Sequence, residues 1–353
     1  MDNRMALLQK LDRDRCLSAP EWQRLLQEAT PSLRQEAECL ARRRTREIFG
    51  ADIYIRGLIE FTNHCKNDCC YCGLRRSNPQ AQRYRLSAET ILACCDAGYA
   101  LGFRTFVLQG GEDGGFSDDA LCRVIENIKR RHGDCAVTLS VGERERSVYR
   151  SFREAGADRY LLRHETADDG HYRLLHPAPQ TLARRKECLW TLKDLGFQIG
   201  AGFMVGSPGQ TVETMTKDLL FLQELRPHMV GIGPFLPQRE TPFAAEPGGS
   251  AEQTLFLLSL VRLLLPEVLL PATTALSTAA ADGRRRGVLA GANVIMPNLS
   301  PKDARDRYRL YDGKALAAGE TAGELAELRE QMKEIGCRIV TDRGDSPAFV
   351  KKV

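Results

Sequence analysis

The chain contains no run of 18 apolar residues, so it offers no candidate transmembrane helix. Its first fifteen residues, MDNRMALLQKLDRDR, alternate charge with apolar positions and hold no continuous apolar segment. That predicts no secretory signal. There is no excess of one charge: 50 basic against 46 acidic residues leave a net +4. Such a balance argues against nucleic acid as a partner. Disulfide density is lacking too. Twelve cysteines in 353 residues exceed ordinary reduced-protein usage yet fall far short of a disulfide scaffold. No glycine-rich dinucleotide fingerprint follows the first apolar strand candidate, and no internal repeat or long linker divides the chain. What remains is a composition 43% hydrophobic and 27% charged, enough for a large core in a soluble, cytoplasmic protein with no membrane or nucleic-acid partner.

Residues 3–14 and 19–46 carry helical apolar spacing, and Ser18-Ala19-Pro20-Glu21 reads as a helix start. From residue 53 the pattern changes. Short apolar runs lie at Ile53–Phe61, Thr105–Leu108, Ala136–Val141, Arg159–Arg163, Gln198–Val205, Met229–Gly233, Leu269–Thr273 and Asn293–Pro297. Amphipathic stretches near 87–99, 118–131, 144–155, 180–195, 211–226, 250–265 and 277–290 separate them. Strand–helix alternation of this kind predicts parallel strands with right-handed crossovers. Eight strands would close a complete (βα)8 TIM barrel, with a doubly wound open sheet as the alternative. The expected organisation is an N-terminal helical extension over 1–50, a barrel over 51–312, and a C-terminal helix and tail over 313–353 packed on the barrel.

Polar and glycine residues recur just after the strand candidates, the face where barrel chemistry sits. After the first comes Cys65-Lys66-Asn67-Asp68-Cys69-Cys70-Tyr71-Cys72, a C-x3-C-x2-C spacing. Thiolates are soft ligands suited to iron–sulfur clusters or zinc. Three of them, Cys65, Cys69 and Cys72, can hold three irons of a [4Fe-4S] cubane and leave the fourth open. A closed zinc site needs a fourth ligand; His64 and Cys70 are the nearest candidates. The aromatic Tyr71 can pack on an adenine. Gly110, Gly111 and Glu112 can bring carbonyls and a carboxylate to an ammonium, or form a plain turn. Arg163 and Glu165 share one side of an extended segment and can meet a ligand or each other. Arg185 can clamp a carboxylate, and Glu143 can meet ribose hydroxyls. Met204, between Gly202 and Gly206, sits where a flat ligand can approach the backbone. Thr273 and Thr274 supply hydroxyls, as Asn298 supplies an amide, and an inward-facing Arg56 would favour an anionic substrate. Arg75 and Arg76 read as a solvated pair.

The cysteine spacing resembles the signature of the radical S-adenosylmethionine (SAM) enzymes. Longer strings narrow the likeness: Ile59-Glu60-Phe61-Thr62-Asn63 before Cys65, Tyr71-Cys72-Gly73-Leu74-Arg75-Arg76, Val107–Asp113, Tyr160–Thr166, Gly231–Phe235, Pro271–Ala275 and Gly291–Asn298. Over roughly residues 50–312 the chain resembles the HydE family, radical SAM maturases of [FeFe]-hydrogenase. The resemblance implies a complete (βα)8 barrel of the radical SAM type with a closed cavity, anaerobic work, and reductive cleavage of SAM to methionine and a 5′-deoxyadenosyl radical. It implies a small organometallic iron–cysteine substrate in H-cluster assembly, the maturases HydG and HydF as partners, and reduced flavodoxin or ferredoxin as electron donor. Carried over, Cys65, Cys69 and Cys72 ligate the cluster. Gly110, Gly111, Glu112, Glu143, Glu165 and Arg185 serve the cofactor, with Arg163 a neighbouring candidate, and Thr273 and Thr274 serve the substrate. The reading of the residues themselves adds Tyr71 and Met204 to the cofactor set and Arg56 and Asn298 to the substrate set. Some members hold a second cluster on three cysteines after the last barrel strand. Here Tyr311–Ala322 contains none, so one cluster per chain is expected. The rivals are a small-molecule radical SAM enzyme of the biotin synthase or methylornithine synthase branch, and a non-enzymatic iron–sulfur or zinc protein.

Overall fold

Prolines and capping side chains divide the N-terminal helices. The computed structural model describes residues 3–27, 29–314 and 322–349. Helices α1 (Asn3–Asp14), α2 (Ala19–Leu26) and α3 (Pro31–Phe49) come first. The periodicity predicts one helix over 19–46, but Pro31 restarts it: Thr30 Oγ1 accepts from Leu33 N at 3.3 Å, and proline occupies the first turn, where a missing N–H costs nothing. Leu33, Ala37, Leu40 and Ala41 form the buried stripe of α3.

The strand–helix region then runs β1 (Asp52–Ile55), β2 (Gly57–Thr62), α4 (Ala88–Ala100), β3 (Thr105–Gly110), α5 (Asp118–Arg131), β4 (Ala136–Ser140), α6 (Arg146–Glu154) and β5 (Arg159–Leu161). It continues with α7 (Asp169–Leu175), α8 (Leu182–Asp194), β6 (Gln198–Ala201), β7 (Met204–Val205), α9 (Val212–Leu225), β8 (Met229–Val230), β9 (Gly233–Pro234) and α10 (Ala251–Leu264). Last come α11 (Thr274–Ala279), α12 (Gly283–Leu289), β10 (Val294–Ile295), α13 (Lys302–Arg307), α14 (Ala322–Glu334) and β11 (Arg338–Val340).

Among the described residues a six-stranded sheet runs in the order β2-β3-β4-β5-β6-β8, every pairing parallel. Ile59, Leu108 and Leu139 are wholly buried, as a parallel sheet covered by helices requires. A second sheet is ordered β10-β1-β11, and β7 pairs with β9. The predicted strand Leu269–Thr273 makes only single bridges, Met229↔Leu269 and Pro271↔Val294. Pro271 has no N–H to give a ladder. The predicted helix 277–290 splits into α11 and α12. A side chain at Gly283 would lie 2.2 Å from Leu276 O, so the two short helices meet too closely for a continuous rod. Helix α7 is absent from the sequence-based plan; it is short, capped by Asp168 on His171 N at 2.8 Å. The predicted terminal helix 320–336 is α14 in its described part, and residues 315–321 of the cysteine-free segment lie outside the described residues.

The tail reaches back to the strand starts. β11 pairs with β1, and Asp345 accepts from buried Arg159 at 2.7 Å and from Gln198 at 2.6 Å. Burial alone would raise the Asp345 pKa, but Arg159 and Gln198 hold it well below the ordinary range. Asp345→Ala should lower the unfolding free energy at pH 7 by about 2–3 kcal/mol, less than for a fully buried pair because the carboxylate is partly exposed. The parent should lose the same contribution in acid. A depressed carboxyl stabilises above its unfolded pKa of about 3.9 and stops doing so as pH falls through its lower folded value. Denaturant unfolding of both proteins across that acid range checks the sign.

Candidate active site

The loop after β2 is held open by its own polar side chains. Asp68 accepts from Ser77 N at 2.9 Å, Ser77 Oγ at 2.8 Å and Arg75 Nε at 3.3 Å. Burial pushes Asp68 up, but these donors outweigh it and bring its pKa down to about 2. Arg76 reaches the same carboxylate at 3.3 Å. The pair predicted to be solvated thus staples the loop, although Arg76 keeps an exposed flank. Arg83 binds three carbonyls, of Asn63, Leu74 and Arg75, at 2.5, 2.9 and 2.6 Å. These bonds fix the loop beside two longer cysteine contacts, Leu74 N to Cys72 Sγ and Cys69 Sγ to Gln180 Oε1, both 3.4 Å.

Cys65, Cys69 and Cys72 line one cavity of about 310 Å³ at the C-terminal ends of the strands. Cys70 packs instead near Leu175, Met204 and Phe235. Burial raises all three cavity thiols and neighbouring cysteines raise Cys69 and Cys72 further, Cys72 to about 12. Three thiolates side by side therefore need a positive partner. Three soft thiolates on one cavity would suit an iron–sulfur cluster. The opposite wall is pressed close: a side chain at Gly111 would lie 2.2 Å from His64 O and 2.7 Å from Cys65 Cβ. The donor set and this glycine cradle fit a [4Fe-4S] cluster.

Around the cysteines the structure gathers Tyr71, Gly110, Gly111, Glu112, Arg163, Glu165, Arg185 and Met204 on the same cavity. Tyr71 is oriented through its hydroxyl, 3.1 Å from His176 Nε2. His176 Nδ1 lies 3.1 Å from Tyr172 O, and its ring stacks on Tyr172 at 3.9 Å. Glu112 Oε1 accepts from Glu143 N at 3.1 Å, and Oε2 lies 3.2 Å from Lys66 Nζ. Arg163 and Glu165 do meet each other, 3.2 Å apart. Glu165 has φ 63°, a left-handed backbone that costs a non-glycine residue about 1–3 kcal/mol.

Glu143, expected to meet ribose hydroxyls, does not line the cavity. Its carboxylate takes Arg185 Nε at 2.6 Å, while Arg185 Nη1 binds Arg163 O at 2.6 Å. Glu143 stands behind the wall and aims the arginine. Burial would lower the Arg185 pKa, but neighbouring Tyr172 and Glu143 keep it firmly charged.

A second cavity, about 580 Å³, shares Gln109, Arg163, Thr273, Tyr308 and Tyr311 with the first. Thr273, Thr274 and Asn298 line it; Arg56 lines neither cavity. Arg56 lies deeper, with Nη1 3.0 Å from Met229 Sδ, because its place at the break between β1 and β2 sets it below the strand ends. Asn298 is already engaged: it donates to Glu60 Oε2 at 2.8 Å and accepts from Ser300 N at 2.9 Å. Thr273 Oγ1 caps α11, taking Leu276 N at 3.3 Å.

Glu60 and Lys314, paired with each other on this second cavity, were missed by the sequence reading. Burial raises the Glu60 pKa against the pull of Lys314 and Asn298. One signal was available: a lone carboxylate inside the apolar run Ile53–Phe61, at the same strand parity as Leu58. Lys314 had none, lying 254 residues along the chain from Glu60.

Comparison with known proteins follows this geometry. A family model described as the Radical SAM superfamily matches residues 59–222. The chain is 47% identical over 269 residues to the [FeFe] hydrogenase maturase subunit HydE of Thermotoga maritima, covering 76% of each protein. It is 30% identical to 3-methylornithine synthase of Methanosarcina acetivorans, covering 75% of each. A crystal structure of methylornithine synthase superposes with TM-score 0.82 at 24% identity, covering 95% of this chain and 97% of that one. HydG from Carboxydothermus hydrogenoformans superposes at 0.79 and 21% identity, covering 99% and 81%. Those two likenesses speak for the fold. Among the described residues no helix is long and apolar enough to cross a membrane. From the matched domain and the long sequence identity, the chain belongs to the radical SAM superfamily and is an enzyme with that family's [4Fe-4S] and S-adenosylmethionine equipment.

Proposed function

We propose that this enzyme is a HydE-type maturase, acting on a small iron-bound cysteine species during assembly of the [FeFe]-hydrogenase dinuclear centre. The observation that carries the reading is its 47% identity to a HydE over three quarters of both chains, against 30% to a methylornithine synthase. In this reading Cys65, Cys69 and Cys72 hold one [4Fe-4S] cluster. When bound, the cluster supplies an electron to SAM, whose cleavage yields a 5′-deoxyadenosyl radical.

The chain's own residues do the rest by placement. Gly110, Gly111 and Glu112 take the methionine end of SAM, and Tyr71 and Met204 offer apolar surface to its adenine. Arg185, braced by Glu143, and the Arg163–Glu165 pair hold polar groups between them. The larger cavity, lined by Thr273, Thr274, Asn298 and Glu60, takes the substrate, and the shared wall at Gln109 and Arg163 lets the two ligands meet. Closure of the strands into a full (βα)8 ring, supported by the bridges Met229↔Leu269, Pro271↔Val294 and Leu58↔Asn298, would keep water from a reactive species. HydG as supplier, HydF as acceptor, reduced flavodoxin or ferredoxin as donor, and an anaerobic cytoplasm belong to the same proposal.

Expression of the intact chain in a strain lacking its own HydE should restore [FeFe]-hydrogenase activity, measured as hydrogen evolution. Good expression with a full cluster and no hydrogen would sink the maturase reading. A second reading, a methylornithine-synthase-like enzyme, is favoured by the 30% identity and would show as 3-methylornithine among the reaction products. A metal-holding protein without catalysis does not survive the family match.

A further inference from the structure

Between Arg163 and Glu165, which line the cofactor cavity, stands a histidine that does not face it. His164 and Asp218 are both fully excluded from solvent, with Nε2 3.3 Å from Oδ1. On the other side of the ring, Nδ1 lies 3.2 Å from Gly202 N, just past β6. A peptide N–H only donates, so Nδ1 accepts, and a neutral ring then carries its proton on Nε2, facing Asp218. Burial favours that neutral ring by lowering the His164 pKa, and it raises the Asp218 pKa as well. Asp218 Oδ1 also accepts from Ala167 N at 2.5 Å. His164 thus ties the segment after β5 to the segment after β6, and Asp218 ties Ala167 to helix α9, while Nε2 and the carboxylate face each other in a buried contact without a hydrogen bond between them.

Glu165 lies between the two tied points, His164 and Ala167. It is one of three non-glycine residues with positive φ in the described chain. Its N donates to Gly202 O at 3.0 Å, and its O accepts from Met204 N at 3.3 Å. A left-handed residue relaxes unless its surroundings over-determine it. Here both flanks are pinned by groups that cost free energy to bury. An extended Glu165 would lose this register with Gly202 and Met204 and re-aim its carboxylate.

We propose that His164 and Asp218 are positioning residues for SAM binding, holding Glu165 in its left-handed conformation so that Arg163 and Glu165 face the cofactor cavity together. The inference rests on the reading of Arg163 and Glu165 as cofactor contacts, and its test separates the two.

The full chain is reconstituted anaerobically as parent, Asp218→Leu, Asp218→Asn, His164→Phe and Glu165→Gln. Binding of labelled SAM is measured by equilibrium dialysis, beside iron content, melting temperature, and KM and kcat for reductive SAM cleavage. Asp218→Leu should weaken SAM binding and raise KM by roughly 10- to 100-fold, the scale of a misplacement near 1 Å. Iron content should stay at the parental value, and kcat at saturating SAM should change far less than KM. Asp218→Asn keeps the Oδ1 acceptor and should recover most of the lost affinity. If Asp218→Leu melts lower yet binds SAM like the parent, the pair is only core packing and the proposal is overturned. Should that variant fail to fold, His164→Phe, which withdraws the acceptor from Gly202, must show the affinity loss; parental affinity there overturns the proposal equally. If Glu165→Gln also binds like the parent, the fault lies in the cofactor reading of Glu165. If Glu165→Gln loses affinity and neither partner of the pair matters, the positioning inference alone fails.

Discussion

Cys69→Ser is expected to abolish SAM cleavage, with a loss beyond the ~100-fold that a change around a metal ligand causes. The physical reason is ligand chemistry. A serine oxygen is hard and stays protonated, whereas iron–sulfur clusters are held by soft thiolates. Cys69 also sits deepest in charge terms: burial raises its pKa well above the ordinary thiol value, and Cys72 and Cys65 raise it further. Only metal binding can keep it deprotonated. The loop itself should survive, because Asp68 and Arg83 hold it independently. Circular dichroism and melting temperature should therefore stay near the parent while iron per chain and 5′-deoxyadenosine fall. Cys70→Ser, whose parent side chain packs outside the cavity, should retain both. A Cys69→Ser protein that still cleaves SAM would remove this cysteine from the cluster.

Arg185→Leu carries the second large effect, and it should act on stability and affinity together. Arg185 and Glu143 are almost wholly enclosed, 8% and 14% exposed at their side chains. Removing the guanidinium strands the Glu143 carboxylate and frees Arg163 O, for a loss of about 3–5 kcal/mol. SAM binding should weaken as well, since Arg185 lines the cofactor cavity and Glu143 does not. Arg185→Lys keeps the charge but cannot serve Glu143 and the Arg163 carbonyl with one rigid fork. It should fall between parent and leucine. Glu143→Leu tests the arrangement from behind: with Arg185→Leu it should be less than additive in stability, because both break one contact. Denaturant unfolding and SAM dialysis on the parent, the three single variants and the double variant resolve the two effects. Full additivity would show that the pair does not act as a unit.

Much of the fold was readable because strand–helix alternation survives locally. Six of the eight predicted strands supply the main sheet, β2 to β6 and β8. Misreadings fell where one residue overrode periodicity: Pro31 cut a helix, Pro271 kept a strand from pairing, and Gly283 marked a helix split by close approach. The site divided differently. Residues of one loop or strand end, from Cys65 to Glu112, come to the cavity because chain continuity places them there. Arg56 lines neither cavity, and Glu143 and Asn298 spend part of their polar groups on protein partners. A side chain's partner is chosen by residues far along the chain, such as Arg185 for Glu143 and Glu60 for Asn298.

Sequence alone determined the chemistry on offer: three soft sulfurs at a spacing one loop can bend around, and alternating elements that bring parallel strand ends toward one face. Those are local properties, set by residue type and separation. The tertiary structure decided which polar groups face the cavities, which stand behind the wall, and which are spent on one another. Glu60 with Lys314, Arg185 with Glu143, and His164 with Asp218 are all of that second kind. Burial makes an unpaired charge or polar group costly, so each must find a partner, and only the packed fold says who is within reach.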